Sequence, residues 1–178
     1  MQNSYKIDVI MDGTVFRDFL LFDSFKYRKL WKRPLFFAVM FVIFSLLCFA
    51  MQGIREQAAL LGTVLLVIGL GLPLIYFMMF FRTVADQVKR LKLDKPRLFY
   101  TILLTDAEDG IIMSARNAED RRFRWADAER AYRSGDVVYL YVSQGSAVVL
   151  PFKDVKGGGD ALWKYLGERL GEGKLTTC

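Results

Sequence analysis

Two long runs without charge dominate the pattern of apolar and polar positions. Pro34 to Ile54 (PLFFAVMFVIFSLLCFAMQGI) holds 21 residues and Gln57 to Phe81 (QAALLGTVLLVIGLGLPLIYFMMFF) holds 25. A helix needs about 20 apolar residues to cross a hydrocarbon core ~30 Å thick, so each run is long enough by itself. As one helix, Pro34 to Phe81 would extend about 72 Å, more than twice that thickness. The only charges inside it, Arg55 and Glu56, follow Gln52 and Gly53. Charges are costly at mid-membrane, so these residues predict a turn at the far surface. The expected element is a hairpin with spans at about 34–54 and 57–81. Pro73 should kink the second span. Gly62, Gly69 and Gly71, and the pair Ala58 and Gly62, predict close packing within the hairpin rather than a specific dimer face.

Elsewhere the period changes. Tyr5, Ile7, Val9 and Met11 alternate with mostly polar neighbours, which predicts a strand with one buried face. Asp12-Gly13-Thr14 ends it and offers a helix cap. From Val15, the positions Phe16, Phe19, Leu20, Phe22, Phe25 and Leu30 recur at near-helical spacing among charges. This predicts an amphipathic helix, either on the membrane surface or packed on the chain's own cytoplasmic domain. After a basic linker, residues 82–97, in which Lys95-Pro96 discourages helix, the strand pattern returns. Strands are expected at Leu98–Thr105, at Ile111–Ala115 after a tight Asp109-Gly110 turn, and at Arg121–Trp125. Others are expected around Ala131-Tyr132-Arg133, at Val137–Ser143 and at Ala147–Phe152. A last helix should begin at an Asp160 cap, carry Leu162, Leu166 and Leu170 on one stripe, and end at Gly171.

The predicted fold class is a membrane α-helical hairpin plus a small antiparallel β barrel or sandwich with a C-terminal helix. Its divisions are 1–33, 34–81, 82–97 and 98–178. Residues 98–178 are near the lower size limit for one core. The N-terminal strand could therefore join their sheet, which would make the hairpin an insertion in one domain.

Charge supplies orientation. Lys26, Arg28, Lys29, Lys32 and Arg33 precede the first span, and Arg82, Lys89, Arg90, Lys92, Lys95 and Arg97 follow the second, against Arg55 alone at the turn. The positive-inside rule then puts both termini in the cytoplasm of a cell-membrane protein with two spans. The 33 rather polar residues before the first span argue against a cleaved signal peptide. The net charge of +6 divides into +3 before the hairpin and +3 after it. It reads as a topology signal and gives no support for a nucleic-acid partner.

Candidate chemistry is sparse. The chain has no His and two Cys, which excludes His-based bases, Ser-His-Asp and Cys-His nucleophiles, and a four-Cys zinc site within one chain. Asp106-Ala107-Glu108-Asp109-Gly110 superficially resembles a calcium loop, but it ends on Asn117 instead of Glu and lies between strands. A solvated hairpin turn is the expected reading. Gly157-Gly158-Gly159 before a helix lacks a following Lys-Ser or Lys-Thr, and is expected to be a flexible joint. Arg116, Arg121, Arg122 and Arg124 concentrate charge near one strand; Arg116, Arg122 and Arg124 are the candidate contacts for an anionic lipid headgroup. No catalytic residue, cofactor or metal is expected.

The chain's order of short strand and helix, two close spans and a strand-rich C-terminal part resembles the YcxB-like family of bacterial membrane proteins. The residues that carry the resemblance are Phe123-Arg124-Trp125-Ala126-Asp127-Ala128, Val138-Tyr139-Leu140-Tyr141-Val142 and Leu150-Pro151-Phe152-Lys153. It implies a pleckstrin-homology-like C-terminal domain and transfers no catalytic residue. The functional expectation is a membrane-anchored, non-enzymatic interaction or regulatory module. Its partners would be the lipid bilayer and another membrane or cytoplasmic protein, with a homo-oligomer left open. The alternatives are an enzyme acting on lipid or envelope substrates through carboxylates such as Asp106, Glu108, Asp109, Asp127 and Asp136, or an anionic-lipid-binding domain.

Overall fold

The alternation at the start of the chain becomes strand β1 (Tyr5–Met11), with Ile7, Val9 and Met11 buried and the residues between them exposed. The computed structural model describes residues 4–51, 53, 57–115, 119–142 and 146–177. They form two units, Met1–Val15 with Leu93–Cys178, and Phe16–Lys92.

In the first unit, β1, β2 (Arg97–Leu104), β3 (Ile111–Ala115) and β4 (Arg121–Phe123) make an antiparallel sheet in that order. The N-terminal strand therefore pairs with β2, from Tyr5 opposite Leu104 to Met11 opposite Arg97. A bulge omits Phe99 from the register, so that Val9 faces Tyr100 and Ile10 faces Leu98. The second sheet has the order β7-β6-β5-β8, from β5 (Ala128–Ser134), β6 (Val137–Val142), β7 (Ser146–Pro151) and β8 (Leu175–Thr177). β8 lies parallel to β5 and was not expected, because three residues carry no readable period. Ile7, Ile102, Leu104 and Ile111 of one sheet and Val138, Leu140 and Leu150 of the other are buried, as are Leu162 and Leu166 of the C-terminal helix.

Two sheets are observed, and side chains join them. Tyr100 of β2 donates its hydroxyl to the Val149 carbonyl at 3.1 Å and accepts the Val149 N–H at 2.9 Å. The Ile10 N–H donates to Asp154 Oδ2 at 3.1 Å. The Tyr100 bonds occupy the outer edge of β7, which would otherwise offer unpaired backbone groups to another chain, and Asp154 lies in the short turn that follows the strand.

The C-terminal helix runs over Gly159–Leu170, and Gly171 ends it at φ 81°. Asp160 is not its cap. The helix begins one residue earlier, so Asp160 falls in the first turn, where it pairs with Arg133 at 2.7 Å. Gly157, Gly158 and the first helical residue, Gly159, are a shaped joint. Gly157 and Gly158 have φ of 103° and 89°, and a Cβ on Gly159 would overlap the Phe152 ring. Gly159→Ala is expected to cost about 1–3 kcal/mol through overpacking, read as a lower urea midpoint with unchanged far-ultraviolet circular dichroism. The Gly157 and Gly158 positions would be strained by any side chain, whatever the space around them.

Asp12 caps the first helix, α1 (Gly13–Leu21), by accepting the N–H groups of Thr14 and Val15 at 2.9 Å. The chain continues as a π-helical segment, Phe22–Tyr27, in which Phe22 and Ser24 are buried. Phe25 packs on Phe77 and Phe80, with ring centroids 5.9 and 5.1 Å away.

The apolar runs form α2 (Lys32–Ala50) and α3 (Gln57–Arg90); Arg55 and Glu56 lie outside the described residues. Both helices are long and apolar enough to cross a membrane, with mean hydropathy of 2.2 and 2.5 over their most apolar windows. Only 11% and 6% of those windows is buried, whereas a soluble core helix would be mostly buried. α3 continues across Pro73 and on to Arg90, into the stretch read as linker. Residues 82–90 contain no Gly or Pro, and Val84 and Val88 keep one apolar face; Lys92, at φ 52°, follows the helix end.

Glycine lets the two helices meet. A Cβ on Gly69 would stand 2.7 Å from Phe41 Cβ, and one on Gly62 would stand 3.2 Å from Cys48 Cβ. Gly71 faces open space and takes no part. Ser45, which the sequence reading passed over, is fully buried and donates its Oγ–H to the Gly62 carbonyl at 2.7 Å. An interhelical polar bond beside a small residue is how apolar helices associate where water supplies no driving force.

Candidate functional site

Of the arginines singled out in the sequence, Arg121 and Arg122 lie on β4, at the edge of the first sheet. Arg122 stands opposite Ile112, and Arg121 opposite Met113. Both are exposed and form no ion pair among the described residues. Arg116 lies outside the described residues. Arg124 follows the strand and is committed locally: its Nε and Nη2 donate to the two carboxylate oxygens of Asp127 at 3.0 and 3.1 Å. That fork raises the Arg124 pKa, first through the hydrogen bond and then through the Asp127 charge. A guanidinium held this way has fewer donors left for a headgroup.

β4 is shorter than expected. It ends at Phe123, and Trp125 enters a single 3₁₀ turn, Trp125–Asp127, instead of continuing the strand. The turn aims the indole inward. Its Nε1–H donates to the Thr105 carbonyl at 2.9 Å, and the Trp125 backbone N–H donates to the Glu108 carbonyl at 3.1 Å. Both carbonyls belong to the loop between β2 and β3, so the loop is shaped around the tryptophan. The tight Asp109-Gly110 turn is replaced by this six-residue loop, 105–110, closed by Thr105 N–H donating to Gly110 O at 2.8 Å. A Cβ on Gly110 would collide with the Thr105 carbonyl and Trp125 Nε1, and would stand 2.6 Å from Ala107 O. Gly110 is required by packing.

A polar cluster that sequence reasoning missed lies beside Trp125. Asp106 accepts the Tyr165 hydroxyl at 3.1 Å and pairs with Arg169. The Tyr165 ring contacts Trp125 and Tyr5, with centroids 5.9 and 5.0 Å away. Burial first, and then the Asp106 hydrogen bond and charge, push the Tyr165 pKa up to about 12. The Asp106 carboxylate, expected from the sequence in a solvated hairpin turn, is instead engaged by two protein groups. Tyr165 and Arg169 are four residues apart, one helical turn, a spacing that announces a shared face but not its partner.

Arg133 ties β5 to the last helix, with its guanidinium 4.9 Å from the centre of the Phe152 ring in addition to its Asp160 pair. Lys174 reaches back to donate to the Ala128 carbonyl at 2.8 Å. These contacts fasten strands and helix to one another, and none of them combines a nucleophile with a base.

Neither curated proteins nor solved structures gave a match to the chain. The model of the family described as YcxB-like protein matches residues 107–164, from the loop around Trp125 through β3 to β7 and into the last helix. Over that stretch the chain is similar to the YcxB-like family, the family whose resemblance the Phe123–Ala128 and Val138–Val142 segments carry.

Proposed function

We propose that the chain is a membrane-anchored, non-enzymatic interaction or regulatory module, in which α2 and α3 span the membrane and the strand-rich unit works on the cytoplasmic side. The reading rests on one observation. β1 and β2 are antiparallel neighbours in one sheet although the whole hairpin lies between them in the chain. A chain that leaves a folded unit and returns to its next strand must do so on one side of a bilayer, which requires an even number of crossings. The basic flanks assign that side to the cytoplasm. A four-strand meander, a second meander and a closing helix also support the pleckstrin-homology-like reading of the unit. The non-enzymatic reading draws support from the carboxylates an enzyme would recruit, since Asp106 and Asp127 are held by Arg169 and Arg124.

A reporter fused after Cys178 is expected to be cytoplasmic, and one placed between Arg55 and Glu56 external. An external C-terminal reporter would overturn the orientation. For the role itself, crosslinking of the full chain in native membranes is expected to yield the same partner from independent preparations. Turnover of a lipid or envelope substrate that Asp106→Ala abolishes, without loss of fold, would sink the non-enzymatic reading.

A further inference from the structure

The face between α2 and α3 holds a groove of about 630 Å³ lined by apolar side chains, among them Pro34, Phe37, Phe41, Leu72, Pro73 and Tyr76. That volume is in the range of small-ligand sites, roughly 300–1,000 Å³. Its register follows from the helix contacts. Gly62 lies against Ser45 and Cys48, and Gly69 against Ala38 and Phe41, so the N-terminal end of α2 is level with α3 near Tyr76. The groove therefore opens at the end of the hairpin where the basic residues gather.

Two of these residues continue its walls. Arg33 stands four residues before Phe37, and Arg82 three residues after the groove residue Met79, so each prolongs a lining stripe by one helical turn. Both are exposed, and neither forms an ion pair among the described residues. Arg33 adjoins the rim at Pro34, and Arg82 lies past Tyr76 on α3, about 9 Å farther along the helix axis. An apolar slot with two cations beyond its basic end is complementary to one class of molecule, an amphiphile with an anionic head. A zwitterionic lipid would fill the slot equally well but gain nothing from the two guanidinium groups. Basic pockets between membrane helices on the cytoplasmic side select anionic headgroups for this reason.

We infer that the α2–α3 groove binds an anionic phospholipid, with an acyl chain along Phe37, Phe41 and Leu72 and the phosphate held by Arg33 and Arg82. This rests on the membrane-spanning reading proposed above. The site uses none of the β4 arginines, and it gives the hairpin a role in selecting its lipid surroundings.

The test uses the full chain in vesicles of equal parts phosphatidylglycerol and phosphatidylcholine. Alkaline carbonate extraction comes first, then release into mild detergent and native mass spectrometry of the retained lipid. Each cation contributes about fivefold at an anionic surface, so the wild type should retain phosphatidylglycerol about 25-fold over phosphatidylcholine. The double variant Arg33→Gln, Arg82→Gln should lose that preference. Leu72→Trp, at an exposed position that tolerates bulk, should reduce retention of both lipids by filling the slot. The control Arg121→Gln, Arg122→Gln should leave the preference unchanged. If carbonate strips the chain from the vesicles, the spanning reading and this proposal fall together. If the chain stays in the membrane but shows no headgroup preference, or keeps it in the Arg33, Arg82 double variant, the proposal alone is overturned.

Discussion

Trp125→Ala is expected to lower the stability of the strand-rich unit by about 3–5 kcal/mol, the usual cost of truncating a buried tryptophan. The side chain is 9% exposed and does three things at once. Its ring fills space against Tyr165, its indole N–H satisfies the Thr105 carbonyl, and its position shapes the loop that presents Asp106 to Arg169. Trp125→Phe would keep most of the packing and leave the carbonyl without its donor, so a smaller loss of about 1–3 kcal/mol is expected. Urea unfolding of the full chain, followed by the fluorescence of Trp163 in the last helix, separates the two variants. Equal midpoints for Trp125→Ala and wild type would mean that the loop and the Tyr165 cluster hold their shape without the indole.

The prominence of this residue was only half legible. The aromatic-x-Trp element stood out in the sequence, but alternation placed Trp125 on a strand beside Phe123. Periodicity reports which side of an element is buried. It is silent about a chain that leaves the sheet after three residues to bury one large ring. The same limit hid β8, whose three residues become a strand only because the last helix returns the chain beside β5. Asp160 illustrates a different failure. It has the chemistry of a helix cap, yet the Arg133 guanidinium one strand away offered a charged partner, and Gly158 took the cap position instead.

Where the deciding physics was local, the sequence was readable. The alternation of β1, the Asp12 cap, the Gly171 stop and the two apolar helices all depend on neighbours within a few residues. The choice between a free N-terminal strand and one joined to the distant sheet did not. It turned on cross-strand burial of Ile7 and Val9 against β2, a contact between segments that the hairpin separates in sequence. The candidate arginines were legible as charges. Their availability was not, because the Arg124–Asp127 fork depends on the turn at Trp125.

Tyr100→Phe should have the second large effect, and it changes the response to pH as well. The hydroxyl is the described partner of both the N–H and the carbonyl of Val149, on the β7 edge away from β6. Removing it orphans two buried backbone groups at about 1–3 kcal/mol each, so a loss of about 2–6 kcal/mol is expected below pH 10. Burial raises the Tyr100 pKa well above its ordinary value, outweighing the opposing hydrogen bond from Val149, while Tyr165 rises to about 12. Both groups stay protonated in the folded chain after an unfolded one has begun to ionise near pH 10. Their contribution is therefore complete below pH 10 and is lost as pH climbs toward the folded values. Each tyrosine adds a fall of about 1.4 kcal/mol per pH unit in that window, so about 2.7 is expected for the wild type and about half that for Tyr100→Phe. Urea midpoints at intervals from pH 9 to 12 measure both quantities. An unchanged alkaline slope in the variant would show that Tyr100 ionises in the folded chain as it does in water, and would remove it as the strut between the sheets.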